Sequence, residues 1–398
     1  MKVFWPKYQS FEDALARLEG VKPLAPFDKE VLAFTQALSK RLVRMRNMPE
    51  VVALGYWLRR ANISEMKTAW EAEITDKIVK SRGTVFHIAP SNVDTIFVYS
   101  WMLSLLAGNR NVIRVSSKEQ GNDLLEAILE ELASSAFQKI ANQTIICTYG
   151  HEENATEILS GLCHTRVIWG GDATIQKIRE TSLAPMANEL AFPDRFSLAA
   201  LSAEQVNQLN DEDLTKLLEQ FYNDVFWFDQ MACSSPRLVT WAGEKDEIVS
   251  AKLRFWSTFE KMVQSKEYEL MAATQVLKYT TSLWLAADDE VDTVRNEQYF
   301  SRIQLTQVPS EARERHCGGG LFFEYDVERL ADLAEVIIDK DQTLAYFGFN
   351  RSDLLIFTGG IETRGMDRIV PIGQALNFDG VWDGQSFLRS FTREVVII

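Results

Sequence analysis

A chain of 398 residues is long enough for two or three domains with real cores. Hydrophobic residues make up 46% and charged residues 25%, the balance of an ordinary globular protein. Lys and Arg total 42 against 56 Asp and Glu, and the net charge of −14 excludes general binding to nucleic acid or anionic membranes, which needs a basic footprint.

The first ten residues are aromatic and polar with no apolar signal core, so no signal peptide is visible. Residues 11–80 read as helical, with Phe11, Leu15 and Leu18, then Val31, Phe34, Leu38 and Leu42, near helical spacing. A strand is predicted over 84–89, stopped by Pro90. A helix follows from about 94 and stops at Gly108-Asn109. Its apolar run over 95–107 is about 13 residues, where a membrane span needs roughly 20, so it reads as buried rather than as a span. Next come a strand over 111–115, a helix over 122–136, a strand over 143–148, a helix over 154–162 and a strand over 165–169 that meets Gly170-Gly171. Such alternation predicts βαβ units on a parallel sheet, with ligands at the carboxyl ends of the strands.

A second unit is expected from about Phe196, with strands over 198–201, 238–241 and 353–357 and helices over 214–222, 247–266 and 327–339. The tail ends in Glu394-Val395-Val396-Ile397-Ile398, an apolar strand that needs a partner, which predicts at least a homodimer. The expected fold class is α/β. Domain limits are 1–195 for a cofactor domain, with 363–398 returning to it or to a partner subunit, and 196–362 for a catalytic domain.

The sharpest candidate is Cys233, in a small-residue loop after the aromatics Phe221, Tyr222, Phe226, Trp227 and Phe228. A thiol is the most nucleophilic of the ordinary side chains, so Cys233 points to acyl or aldehyde chemistry. The competing reading is a buried structural cysteine. Cys147 and Cys163 end apolar elements and read as structural; Cys317, beside Gly318-Gly319-Gly320, stays open. The four cysteines lack the spacing of a disulfide framework or zinc site, so reduced thiols, a cytoplasmic location and no metal are expected. The aromatics could line an acyl channel or simply pack a core.

Taken together, these segments resemble the aldehyde dehydrogenase superfamily, and within it the LuxC-type acyl-CoA reductases. The resemblance rests above all on Asp229-Gln230-Met231-Ala232-Cys233-Ser234-Ser235-Pro236, similar to that family's nucleophile motif, and on Gly365-Met366-Asp367-Arg368-Ile369-Val370-Pro371-Ile372-Gly373, similar to its C-terminal signature. It implies an aldehyde-dehydrogenase-like fold with a Rossmann-like cofactor domain. It implies that Cys233 is the nucleophile, with Asn92 of Pro90-Ser91-Asn92 and the Cys233 backbone N–H holding the oxyanion. It further implies cofactor contacts at Pro90, Ser91, Arg114, Ser116, Ser117, Gly150, Gly170, Gly171 and Asp172, and a general-base role for Glu189. Ser117 stands where NAD-preferring relatives carry a glutamate, and Arg114 adds a positive charge, so NADPH is the expected cofactor.

The Glu-x-Phe-Gly-Pro motif of the superfamily is absent, and 317–320 is the expected replacement. The implied reaction is reduction of a long-chain acyl thioester to the aldehyde, with acyl-CoA, an acyl carrier or an acyl-protein synthetase as donor. Two alternatives remain at this point: a hydrolytic aldehyde dehydrogenase using NAD(P)+, and an acyl-accepting partner of a synthetase without reductase activity.

Overall fold

The computed structural model describes residues 1–90, 95–116, 122–150 and 154–398. Ser91, Asn92 and Ser117 lie outside the described residues. The chain forms two compact units: 1–194 with 377–398, and 195–376.

The first unit is built on β1 (Lys2–Trp5), β2 (Ile78–Ser81), β3 (Thr84–Ile88), β4 (Arg110–Arg114), β5 (Thr144–Thr148), β6 (Thr165–Trp169) and β7 (Asn188–Phe192). Its main sheet runs β1-β5-β4-β3-β6-β7 and is parallel except for β1. The chain steps outward from β3 to β4 and β5, then returns to lay β6 on the other side of β3. The order therefore reverses between β3 and β6, where open α/β sheets place their ligand crevice. Every residue of the helix Ile96–Leu106 is buried, which explains an apolar composition all round its surface. Among its neighbours His87 is 1% exposed, between Ser100 Oγ at 2.8 Å and Asn111 Oδ1 at 3.0 Å. Asn111 Nδ2 donates to the Asn109 carbonyl, so its Oδ1 accepts, and His87 carries its proton on Nε2. Burial holds this imidazole down at about 4.

The second unit holds β8 (Phe196–Ser202), β9 (Pro236–Ala242), β10 (Val291–Asn296), β11 (Ser301–Leu305), β12 (Leu321–Val327), β13 (Asp341–Phe347) and β14 (Arg368–Pro371) in the order β10-β11-β12-β9-β8-β13-β14. Only the β10–β11 pairing is antiparallel. One face is covered by the helices Asp211–Phe226 and Lys245–Ser265, whose Phe221, Phe255, Trp256 and Phe259 interlock with Phe300 and Phe322. Phe221 and Phe226, read as possible channel residues, belong to this core.

Three sequence readings are corrected. Residues 353–357, expected as a strand, lie in the helix Arg351–Gly360. Asn350 accepts the Ser352 and Asp353 N–H groups while Asp353 accepts the Asn350 N–H, a reciprocal cap that outweighs the short apolar run. Residues 327–339, expected as an α-helix, end β12 and then form the short 3₁₀ turn Leu330–Val336. Residues 78–80, expected at the end of a helical stretch, lie in β2. The second compact unit runs to 376, with Arg368–Pro371 added to β13 as an edge strand. Within the tail, Thr392–Val395 pairs antiparallel with β2 of the same chain, and Val396, Ile397 and Ile398 are exposed.

Candidate active site

Cys233 lies in the loop between the helix Asp211–Phe226 and β9, at the amino end of the second sheet, and is partly exposed. The loop is held from three directions. Asp229 and Gln230 both take left-handed φ values, 50° and 61°, uncommon for side-chain-bearing residues. Gln230 is fully buried, and its amide donates to the Pro236 carbonyl at 2.9 Å while accepting the Gly320 N–H at 3.0 Å. One side chain thereby ties both ends of the cysteine loop to the start of β12.

The second hold is Ser197 on β8. Register breaks occur there on both sides, between Ser197 and Leu198 against β9 and between Asp341 and Leu344 against β13. The Ser197 hydroxyl fills the gap, accepting the Thr343 N–H at 3.2 Å and donating to the Cys233 carbonyl at 2.7 Å. This fixes the peptide that follows the thiol.

The third hold is the run Gly318-Gly319-Gly320, with φ of 71°, 64° and 79°. The Gly319 N–H donates to the Asp229 carbonyl at 2.8 Å. A Cβ on Gly318 would come within 2.5 Å of Met231 Sδ and 3.2 Å of the Asp229 carbonyl. Glycine is needed because the backbone must run left-handed against the cysteine loop. His316 locks the run from behind, accepting the Gly318 N–H on Nδ1 and donating from Nε2 to the Leu321 carbonyl at 2.6 Å. Burial and the nearby Arg237 push its pKa well below the usual imidazole range, so it is neutral at pH 7.

The C-terminal signature has a structural basis. The Met366 N–H donates to the Asp341 carbonyl, Asp367 pairs with Arg195 at 2.6 Å, and the Gly373 N–H donates to Asp224 at 2.6 Å. The two structural cysteines are confirmed as buried, and burial drives Cys163 up to about 11.

At the carboxyl edge of the first sheet, adjacent strands end in Pro90, Ser116, Gly150 and Gly170-Gly171. Arg114, the last residue of β4, reaches the Tyr149 carbonyl at 3.5 Å and lies 5.6 Å from that ring. Among the described residues no atom lies within 4 Å of where a Cβ of Gly150 or Gly171 would stand. Gly171 opens the helix Asp172–Arg179 without a side-chain cap, and Trp169 stacks on Phe192 with ring centroids 4.0 Å apart. Open backbone, uncapped N–H groups and a cation at a switch point fit a dinucleotide.

Glu189 does not belong to that edge. It is in register with Arg166 at the start of β7, about 10 Å along the strand from Phe192 at 3.3 Å per residue. Both oxygens are engaged: Arg166 donates to one at 2.9 and 2.6 Å, and Arg179 to the other at 2.7 Å. A carboxylate paired with two guanidiniums serves as a counter-ion in this arrangement. Ser197, Gln230 and Thr343 were not anticipated from sequence. A glutamine three residues before the cysteine was in view, but its partners are up to 90 residues away.

Among the described residues no helix is long and apolar enough to cross a membrane, and no cluster of His, Cys, Asp and Glu could hold a metal. No curated protein matches the sequence. Solved structures match along nearly the whole chain. Methylmalonate-semialdehyde dehydrogenase (DddC) from Oceanimonas doudoroffii has TM-score 0.68 and 13% identity, covering 96% of this chain and 89% of that one. An NAD-dependent benzaldehyde dehydrogenase from Corynebacterium glutamicum has TM-score 0.63 and 14% identity, covering 98% and 90%. Staphylococcus aureus AldH has TM-score 0.64 and 12% identity, covering 97% and 93%. These likenesses show the aldehyde dehydrogenase fold. The family model for LuxC acyl-CoA reductases matches residues 71–394, so this chain, with its braced cysteine loop and switch-point edge, belongs to the LuxC acyl-CoA reductase family.

Proposed function

We propose that the protein reduces a long-chain acyl-CoA to the fatty aldehyde with NADPH, through an acyl group carried on Cys233. The observation that supports this most directly is the partly exposed Cys233 in a loop held by Ser197, Gln230 and the Gly318-Gly319-Gly320 run. The Cys233 thiolate attacks the thioester carbonyl, the carbon–sulfur bond to CoA breaks, and CoA leaves as the thiolate that takes up the proton. When bound, the nicotinamide cofactor supplies the hydride that reduces the acyl-cysteine. The oxyanion of each tetrahedral species takes a hydrogen bond from the Cys233 N–H, and Asn92 is proposed, on the family resemblance, as the second donor. Collapse releases the aldehyde and returns the Cys233 thiolate.

Pro90, Ser91, Ser116, Ser117, Gly150, Gly170, Gly171 and Asp172 are proposed to hold the cofactor. Arg114 favours a 2′-phosphate by charge. The engaged Glu189 supports reduction over the hydrolytic alternative, because release of a free acid needs an activated water and thioester reduction does not. Acylation and reduction separate experimentally. Radiolabelled acyl-CoA without NADPH should leave a thioester on the wild type and none on Cys233→Ser. A Cys233→Ser variant that is labelled and reduces acyl-CoA like the wild type would refute the mechanism.

A further inference from the structure

The helix Ala272–Leu285 packs inside out. Its inward positions are Thr274, Lys278, Thr281, Ser282 and Leu285, and Lys278 and Ser282 are buried. Its outward positions are Val276, Leu277, Tyr279, Leu283 and Trp284, each more than half exposed, with Met271 before them 71% exposed. At about 100° per residue the outward set fills an arc of about 160°, opposite the polar stripe. An ordinary surface helix has the reverse arrangement.

The polar stripe is committed to its place. Lys278 Nζ donates to the Tyr299 carbonyl at 2.9 Å, and Ser282 Oγ is satisfied within the helix on the Lys278 carbonyl at 2.9 Å. Thr274 borders Gly319. Half a turn of rotation would bury the apolar face only by breaking the Lys278–Tyr299 bond and lifting Thr274 off Gly319. Trp284 is also fixed, with the Arg315 guanidinium 4.3 Å from its ring and Arg315 paired with Asp288. Five large apolar side chains on one face, each more than half exposed, reach the roughly 300–600 Å² that monomers ordinarily leave uncovered.

Charge narrows the occupant. Lys278 is the helix's one charged residue, and it points inward. Glu267 and Glu269 precede the helix, and Asp289, Glu290 and Asp292 follow it beyond the Asp288–Arg315 pair. We propose that this face docks an amphipathic helix of another protein, whose apolar stripe is flanked at both ends by Lys or Arg. Such a helix would run about 20 Å at 1.5 Å per residue. A second copy of this chain would set acidic ends against acidic ends in either orientation, and an anionic bilayer or an acidic carrier protein would be repelled.

The test uses the full chain and two labelled helical peptides with the same Leu-rich face, one with Lys and Arg at its ends and one with Glu. Fluorescence anisotropy should give micromolar binding of the basic peptide, at least 10-fold weaker binding of the acidic one, and a several-fold loss between 50 and 500 mM salt. Leu283→Glu and Val276→Glu should each weaken binding at least 10-fold while leaving the melting temperature in place, since both side chains are exposed. Equal binding of the two peptides, or binding unaffected by both variants, overturns the proposal. So does a dimer in sedimentation, or capture on anionic vesicles, that Leu283→Glu abolishes. The readout is binding alone, so it stands or falls apart from the reductase reading.

Discussion

Ser197→Ala tests whether the position of Cys233 is built by hydrogen bonding or merely by chain connectivity. The substitution removes one hydroxyl and strands two backbone groups, the Thr343 N–H and the Cys233 carbonyl. Losing a net hydrogen bond costs about 1 kcal/mol, and leaving a buried backbone group unpaired about 1–3 kcal/mol more. The register breaks at Ser197 deny the Thr343 N–H a nearby ladder partner, so a total of about 3 kcal/mol is expected. If the freed peptide turns, part of that loss falls on the acyl-transfer transition state. Acylation should slow about 10–100-fold, with KM for acyl-CoA changed far less. Single-turnover labelling with acyl-CoA measures the step directly, and Cys233 alkylation by iodoacetamide reports the thiol independently. Ser197→Thr keeps the hydroxyl and should restore most of the rate. Ser235→Ala, which removes a buried hydroxyl from the same loop with no partner among the described residues, should change acylation less than about 3-fold. Ser197→Ala with wild-type acylation, or a Ser235→Ala defect of equal size, would refute the reasoning.

Three further outcomes follow from the geometry. Glu189→Gln should lower the melting temperature, because Arg166 is nearly buried and loses its partner, yet acyl-CoA reduction at a permissive temperature should stay within a few-fold of wild type; a loss of 10³-fold would restore Glu189 as a base. Gly318→Ala should slow Cys233 acylation, since a left-handed φ costs a side chain about 1–2 kcal/mol and the new methyl displaces Met231; unchanged acylation would show that the glycine run does not brace the loop. His87 titrates near 4 when folded and near 6.5 when unfolded, so the unfolded chain takes the proton first and stability falls as pH drops from 6.5 to 4. The full loss is about 3 kcal/mol at 1.36 kcal/mol per unit, and urea unfolding of His87→Gln should show a flatter acid limb than wild type; parallel limbs would count against it.

Strands β3 to β6 of the first unit were legible because each is a short apolar run closed by Pro, Ser or Gly, and their ends carry the open backbone of the switch point; β1, β2 and β7 were not read. The second unit was harder. Asp341–Phe347 carries Asp341, Gln342 and Thr343 inward to pair with Arg313, Ser197 and the ladder, so its polarity hid a central strand. The helix Arg351–Gly360 was missed because its signal lies in the Asn350–Asp353 cap and not in hydrophobic spacing. Cys233 stood out by its neighbours, and the role proposed for it came from the family resemblance. What holds it could not be read, because Ser197, Thr343 and Gly320 lie 36 to 110 positions away and meet it only through sheet register. Glu189 shows the converse: a motif-like carboxylate whose use is set by the arginine on the next strand.

The order of synthesis reaches the two units differently. Residues 195–376 are continuous and can fold as soon as they clear the ribosome. The first unit is translated earlier but lacks several partners until residues 377–398 emerge. Asn109 donates to the Phe391 carbonyl, Arg82 and Asn188 donate to that of Ser390, and β2 pairs with Thr392–Val395. The half made first is thus completed last, and a nascent chain stalled before 377 would carry an unfinished first unit and a finished second one.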